Sequence, residues 1–353
     1  MDVHDLGERA GRPWHPGGRS RGRWLLVALA FALVAVEARA ATVKDVQKKM
    51  GSRFEITVVH EREAAAWEAV AAAWAEVDRI EALISEWRPD SETSRVNDRA
   101  GQGPVVVSKE LFELVRRSIK VSELTGGAFD ITFAGAGKLW DFKADPPRLP
   151  DPAAIERALA DVDYRLVRLD RGASTIELPR PGMRIGFGAI GKGYAANRVA
   201  ALLQERGIRD GVINAGGDLA AFGHREDGEP WTVGIADPRR PDQVFAYLQA
   251  SGQSVVTSGD YESFIEVDGV RYAHILDPRT GFPARDVMSV TIVCPDAELA
   301  DALATGVFVL GREAGLALVD RLNGVEGLVV DGRGELHFST GLESKFLDRE
   351  SSP

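Results

Sequence analysis

Apolar positions along this chain change period several times, and each change marks an element. Arg53 to His60 alternates apolar with polar and predicts a strand, while from Glu61 to Ser85 the alanines, Trp67, Val70, Trp74, Val77, Ile80 and Leu83 recur near helical spacing. That periodicity predicts a long helix with both tryptophans in the core. A polar loop is expected from Glu86 to Gly103, then a helix from Lys109 to Leu124 capped by Ser108. A proline cluster from Lys143 to Pro152 is the best internal boundary, or else a surface loop, and Asp151-Pro152 is placed to start a helix reaching Asp163. Strand signals come in pairs at Leu166 to Leu169 and Thr175 to Leu178, then around Trp231 to Ile235, Val244 to Leu248, Ser254 to Val256 and Phe264 to Val267. A helix is expected from Tyr194 to Arg206, and the strand Val287 to Val293 precedes another helix. Many strands joined by short turns, with helices grouped between them, predict an α+β fold of largely antiparallel sheets with packed helices, not a doubly wound parallel one.

The N-terminus follows a different pattern. Arg19, Arg21 and Arg23 precede an apolar run of 13 residues, Trp24 to Val36, and Ala38-Arg39-Ala40 is a small-residue cleavage pattern. Together these predict a signal peptide over residues 1–40 and a periplasmic or otherwise exported mature chain. The run is shorter than the roughly 20 residues that span a bilayer, which leaves retention as an anchor, associated with the inner membrane, as the alternative. The expected domain covers residues 41–345, as one body or two closely joined lobes, with a tail over 346–353. Residues 1–40 hold six arginines and four acids, so a formal charge of −10 becomes −12 without them. Such an acidic protein should bind neither nucleic acid nor anionic membrane nonspecifically. Any phosphate it handles needs local compensation by a metal or by helix N-termini. Cys294 is the sole cysteine, which excludes an intramolecular disulfide, and it reads as a buried thiol at a strand end.

Four segments carry candidate chemistry, and each has a plainer alternative. Ile185 to Tyr194, with four glycines, leaves a strand and enters a helix, so its amides could cradle a phosphate or merely make a tight turn. Asn214-Ala215-Gly216-Gly217-Asp218 ends an apolar run and could be only a two-residue hairpin. Thr125 to Thr132 sets small residues beside Phe129 and Asp130, admitting a flat ring or forming a helix C-cap before a strand. Asp301 and Thr305 stand at i and i+4 on a helix, so their oxygens could hold a hard divalent cation or simply face solvent.

Taken together with Thr257-Ser258-Gly259-Asp260-Tyr261 and His274-Ile275-Leu276-Asp277-Pro278-Arg279-Thr280-Gly281, these segments resemble the ApbE-type flavin transferases, which move FMN from FAD to a threonine of a target protein. Met50 to Phe54, Ser85 to Pro89, Ser94 to Asn97, Gly127 to Thr132, Gly188 to Ala195, Asn214 to Asp218 and Ala300 to Thr305 extend the match over residues 50 to about 311, most of the mature chain. The histidine string with the SGDY string at this spacing is the specific part.

The resemblance implies a T-fold-like α+β architecture and an FAD cleft to which Met50, Trp87, Ala128, Phe129, Asp130, Lys192 and Ile275 correspond. It implies magnesium on the carbonyl of Ala189 and the side chains of Asp301 and Thr305, and His274 as the base for the acceptor hydroxyl. Asp260 or Asp277 would orient that histidine. The implied partners are FAD and acceptor flavoproteins, such as periplasm-facing subunits of ion-pumping redox complexes. Hydrolysis of FAD to FMN and AMP, or flavin binding without turnover, are the competing functions. The chain departs from the family pattern at Gly186 and Asn197, where many members carry aspartate, and Lys192 fills a place that some give to glutamate.

Overall fold

The computed structural model describes residues 40–342 and the backbone of 346–347. The expected signal peptide and most of the expected tail therefore lie outside the described residues. The described residues from Ala40 onward fall in one compact unit, with the proline cluster inside it. Residues 143–149 are instead a largely exposed loop.

Eight strands form one sheet in the spatial order Ala41–Lys49, Ser52–His60, Asp210–Ala215, Asp218–Phe222, Ser254–Gly259, Val287–Cys294, Glu326–Asp331 and Leu336–Phe338. Every pairing in it is antiparallel. Side chains alternate between the two faces of a strand, and the core divides accordingly. Val256, Ile292 and Val329 join the main core, whereas their neighbours Val255, Val293 and Leu328 join a smaller one on the opposite face. The helices Glu63–Ile84, Gly191–Glu205 and Ala297–Leu310 supply the main core. A three-stranded sheet containing Thr232–Asp237 and Arg240–Gln249 covers the other face, with Phe346–Leu347 paired to its edge. No described helix is long and apolar enough to cross a membrane.

Local sequence explains most boundaries. The Lys109–Leu124 helix starts where Ser108 Oγ accepts from the Leu111 amide. In the long helix the inward stripe runs Ala66, Val70, Ala73, Trp74, Val77, Ile80 and Ile84. Trp67 lies one position off that stripe and is 45% exposed, so the expected burial of both tryptophans holds only for Trp74. The expected loop from Glu86 to Gly103 contains a helix, Glu92–Asp98, capped by Ser91 Oγ on the Ser94 amide. Its inward face is Thr93, Ser94, Val96 and Asn97, which is mostly polar and leaves no apolar period to read. After the Gly126-Gly127 cap the chain enters a 3-10 turn, Ile131–Phe133, where a strand was expected. Cys294 closes its strand 1% exposed, and its thiol donates to the Asp296 carbonyl; burial pushes it up to about 11.

Candidate functional site

A cleft of about 860 Å³ opens where the helix starts of the main core meet the turns at one end of the sheet. Met50, Trp87, Ala128, Phe129, Asp130, Lys192 and Ile275 all line it, as do Ala189, Asp301, Thr305 and His274. Asp260 and Asp277 are not among its lining residues.

The floor is built by the junction of two helices. The Gly191–Glu205 helix begins three residues earlier than its apolar pattern predicts, and its Gly193 amide donates to Asp301 Oδ2 at 2.9 Å. Free amides at a helix start favour an anion. Here the Gly193 amide is taken by the carboxylate of Asp301 itself, a protein side chain, at a turn for which a phosphate cradle and a mere tight turn were the two readings. Asp301 is 3% exposed and sits one turn before Thr305, so the pair faces the cleft from within the protein and not from a solvated helix face. Asn197 holds the same junction, donating to Asp296 Oδ1 at 2.7 Å and accepting from the Ala297 amide at 2.9 Å. An aspartate at 197 could accept but not donate, and would face Asp296 charge to charge.

Charge is concentrated beside this floor. Lys192 Nζ lies 3.0 Å from Asp218 Oδ2, and Asp218 is 1% exposed. Burial raises the carboxyls of Asp218 and Asp301, each of which also feels the other, while Lys192 draws both back. Burial would lower the Lys192 ammonium, but Asp218, Asp301 and Glu262 together hold it above its ordinary value. Glu262, on the open side of the cleft, is raised by its protein surroundings, with Lys192 opposing. Three carboxyl groups with raised values converge on one ammonium, so a bound cation would stabilise their charged forms. Oxygen donors suit a hard divalent cation, and the set of Ala189, Asp301 and Thr305 fits magnesium.

The Asn214 to Asp218 segment is a two-residue hairpin, with Gly216 at φ 68° and Gly217 at φ 105°, as the plainer expectation had it. It is also functional in placement, because Gly216 lines the cleft and Asp218 meets Lys192. Met50 occupies a comparable hairpin turn at φ 49°, a left-handed conformation that costs energy in a residue with a side chain, and its side chain reaches the cleft.

His274 Nδ1 lies 3.1 Å from the Ser263 carbonyl oxygen. A carbonyl only accepts, so Nδ1 carries the proton and Nε2 keeps its lone pair. Burial holds this imidazole below its ordinary value, with Lys192 acting the same way and the Ser263 contact opposing. The expected orienting residues, Asp260 and Asp277, have other neighbours. Asp277 is held by Arg279 through two contacts of 2.8 Å. Asp260 has Arg271 as its charged neighbour at 3.9 Å. Asp130 lines the cleft yet already accepts from Thr132 N, Thr132 Oγ1 and Tyr164 N. Trp87 is 75% exposed and has Lys138 Nζ 4.6 Å from its ring centroid.

Sequence reasoning did not single out Asp218, Glu262, Glu86 or Lys138 as site residues. Asp218 ends a quoted glycine segment and Glu262 follows the SGDY string directly, so proximity to those strings was the available signal.

The ApbE family model matches residues 50–329. An FAD:protein FMN transferase of Treponema pallidum is 39% identical over 277 residues, 74% of this chain and 76% of that protein. One from Klebsiella pneumoniae is 33% identical over 318 residues, 88% of this chain and 90% of its own length. Among solved structures, the ApbE protein of Thermotoga maritima superposes with a TM-score of 0.81 at 33% identity, covering 86% of this chain and 99% of that one. The flavin transferase ApbE of Vibrio cholerae gives 0.77 at 27% identity, over 87% and 99%.

Proposed function

Because this chain belongs to the ApbE family, we propose that it is an FAD:protein FMN transferase, exported, magnesium-dependent and acting on a threonine hydroxyl with release of AMP. The names of its relatives support flavin transfer. The observation that carries the finer reading is the single cleft holding an unprotonated histidine nitrogen, a lysine and a buried carboxylate–hydroxyl pair, since storage of FAD alone needs no base.

His274 Nε2 takes the proton of the acceptor hydroxyl. The oxygen then attacks the FMN phosphorus, and the bond from phosphorus to the AMP oxygen breaks, so AMP leaves with that electron pair. Lys192 offers positive charge to the pyrophosphate, and Asp218 fixes where its ammonium sits. Trp87 presents a flat face for a ring of the substrate. When bound by Ala189, Asp301 and Thr305, magnesium supplies Lewis-acid neutralisation of phosphoryl charge. Positioning and charge neutralisation account for most of the rate in such a transfer. The expected acceptors are outward-facing flavoproteins of redox complexes, in keeping with export.

Incubating the purified protein with FAD, magnesium and a candidate acceptor, then weighing the acceptor by mass spectrometry, tests this reading. Covalent FMN on a threonine supports transfer. Free FMN with AMP in place of a modified acceptor would replace transfer by hydrolysis, and intact FAD throughout would remove the enzymatic reading.

A further inference from the structure

Glu86 follows the long helix and turns its carboxylate into the cleft. Its side chain is 14% exposed, and Oε2 lies 3.2 Å from Lys138 Nζ. That oxygen is buried and has no polar partner apart from the Lys138 ammonium. The room for it comes from Gly186. A Cβ at position 186 would sit 2.6 Å from Glu86 Oε1 and 2.9 Å from Ala134 Cβ, both inside contact distance. Gly186 is absent from the residues at positive φ, so its backbone asks for no glycine and the requirement is one of space. Its amide is fixed on the Ile131 carbonyl at 3.0 Å, and the preceding residue is held by Asn97 on both sides.

Lys138 serves two neighbours, the Glu86 carboxylate and the Trp87 ring. An acceptor oxygen with spare capacity and an exposed aromatic face are thus tied to one ammonium in one cleft. A planar heterocycle that covers Trp87 and carries an N–H on its edge satisfies both. Lys138 already pairs one side of this carboxylate, and a ring presenting an N–H uses its remaining acceptor capacity where a ring presenting only acceptors is repelled. Burial raises the Glu86 carboxyl, and Lys138 and Arg184 act to keep it ionised.

We propose that Glu86, given room by Gly186, is a specificity residue that accepts an N–H from the edge of the substrate ring lying on Trp87. This rests on the flavin reading of the cleft. In FAD two rings offer such an edge: the adenine amine and the isoalloxazine imide.

Calorimetric titration of the purified protein with FAD, FMN and AMP separates them. Glu86→Ala should weaken FAD about ten-fold, the worth of one charge-assisted hydrogen bond, and should weaken either FMN or AMP alike while sparing the other. The half that suffers identifies the ring. Gly186→Ala should repeat the selective loss by displacing the carboxylate, and Glu86→Met, of similar length but without a carboxylate or amide oxygen, gives the same reading if the alanine variant does not fold. Equal affinities in wild type and variants, or equal losses for FMN and AMP, would overturn the inference alone. A wild-type protein that binds none of the three would overturn the flavin reading and this inference with it.

Discussion

The Gly193 amide and the Asp301 carboxylate, 108 positions apart, meet at 2.9 Å where two helices cross. The crossing is close because residue 193 has no side chain. A Cβ there would lie 2.1 Å from the Ala297 carbonyl oxygen and 2.8 Å from Asp301 Cβ. Gly193→Ala should therefore destabilise the fold by about 1–3 kcal/mol, the usual cost of overpacking, and shift Asp301 enough to remove turnover. Urea denaturation and FAD turnover on one preparation check both parts.

Asp301 should separate stability from activity. Burial penalises the charge of its carboxylate, so Asp301→Asn removes that penalty while its amide oxygen still accepts from Gly193. Without metal the variant should melt no lower than the wild type. Magnesium should raise the melting temperature of the wild type and leave that of the variant unchanged, and turnover should vanish. A magnesium-dependent rise in Asp301→Asn would remove this residue from the metal site.

His274 predicts the pH behaviour. Its folded value is lowered, so the imidazole is neutral and able to accept a proton above about pH 6.5, the ordinary value, and the acidic fall in rate should lie below that. His274→Asn should slow transfer by about 10²–10⁴-fold with FAD affinity retained. The same shift acts on stability. The unfolded imidazole binds its proton near pH 6.5 and the folded one only at lower pH, so acidification below about 6.5 favours unfolding through this group. Melting temperatures between pH 7.5 and 5.5 should fall less steeply in the variant.

Asn97 forms a two-handed clamp. It donates to the Ile185 carbonyl at 2.9 Å and accepts from the Ile185 amide at 2.7 Å, while being 3% exposed. Asn97→Ala leaves two buried backbone groups without partners, at a cost of about 2–4 kcal/mol. Because Gly186 and Phe187 follow directly, FAD affinity should fall as well. Denaturation midpoints and calorimetry would detect each loss.

Periodicity made the large elements legible. The Lys109–Leu124 helix and the Phe264–Val267 strand have the bounds their patterns predict, and the antiparallel α+β class follows from turn spacing. What periodicity could not see was polar burial: the Glu92–Asp98 helix packs serine, threonine and asparagine inward. The site residues were legible only through motif resemblance, since nothing in their spacing alone brings Trp87, Lys192 and Asp301 together. The partner of His274 escaped because it is a backbone carbonyl, and any residue can supply one. Glu86 escaped for a related reason, as the space it fills belongs to a glycine 100 positions away.

Trp87, 75% exposed at the cleft, also makes the protein its own optical probe. Trp74 and Trp140 are 6% and 5% exposed, Trp140 lining the cleft from within, while Trp67 is 45% exposed away from it. An indole in water emits to the red of a buried one, and a flavin laid against it would accept its excitation energy. Filling the cleft should therefore dim the emission of Trp87 and Trp140, which line it, more than that of Trp67, so that occupancy can be followed in real time without labelling either partner.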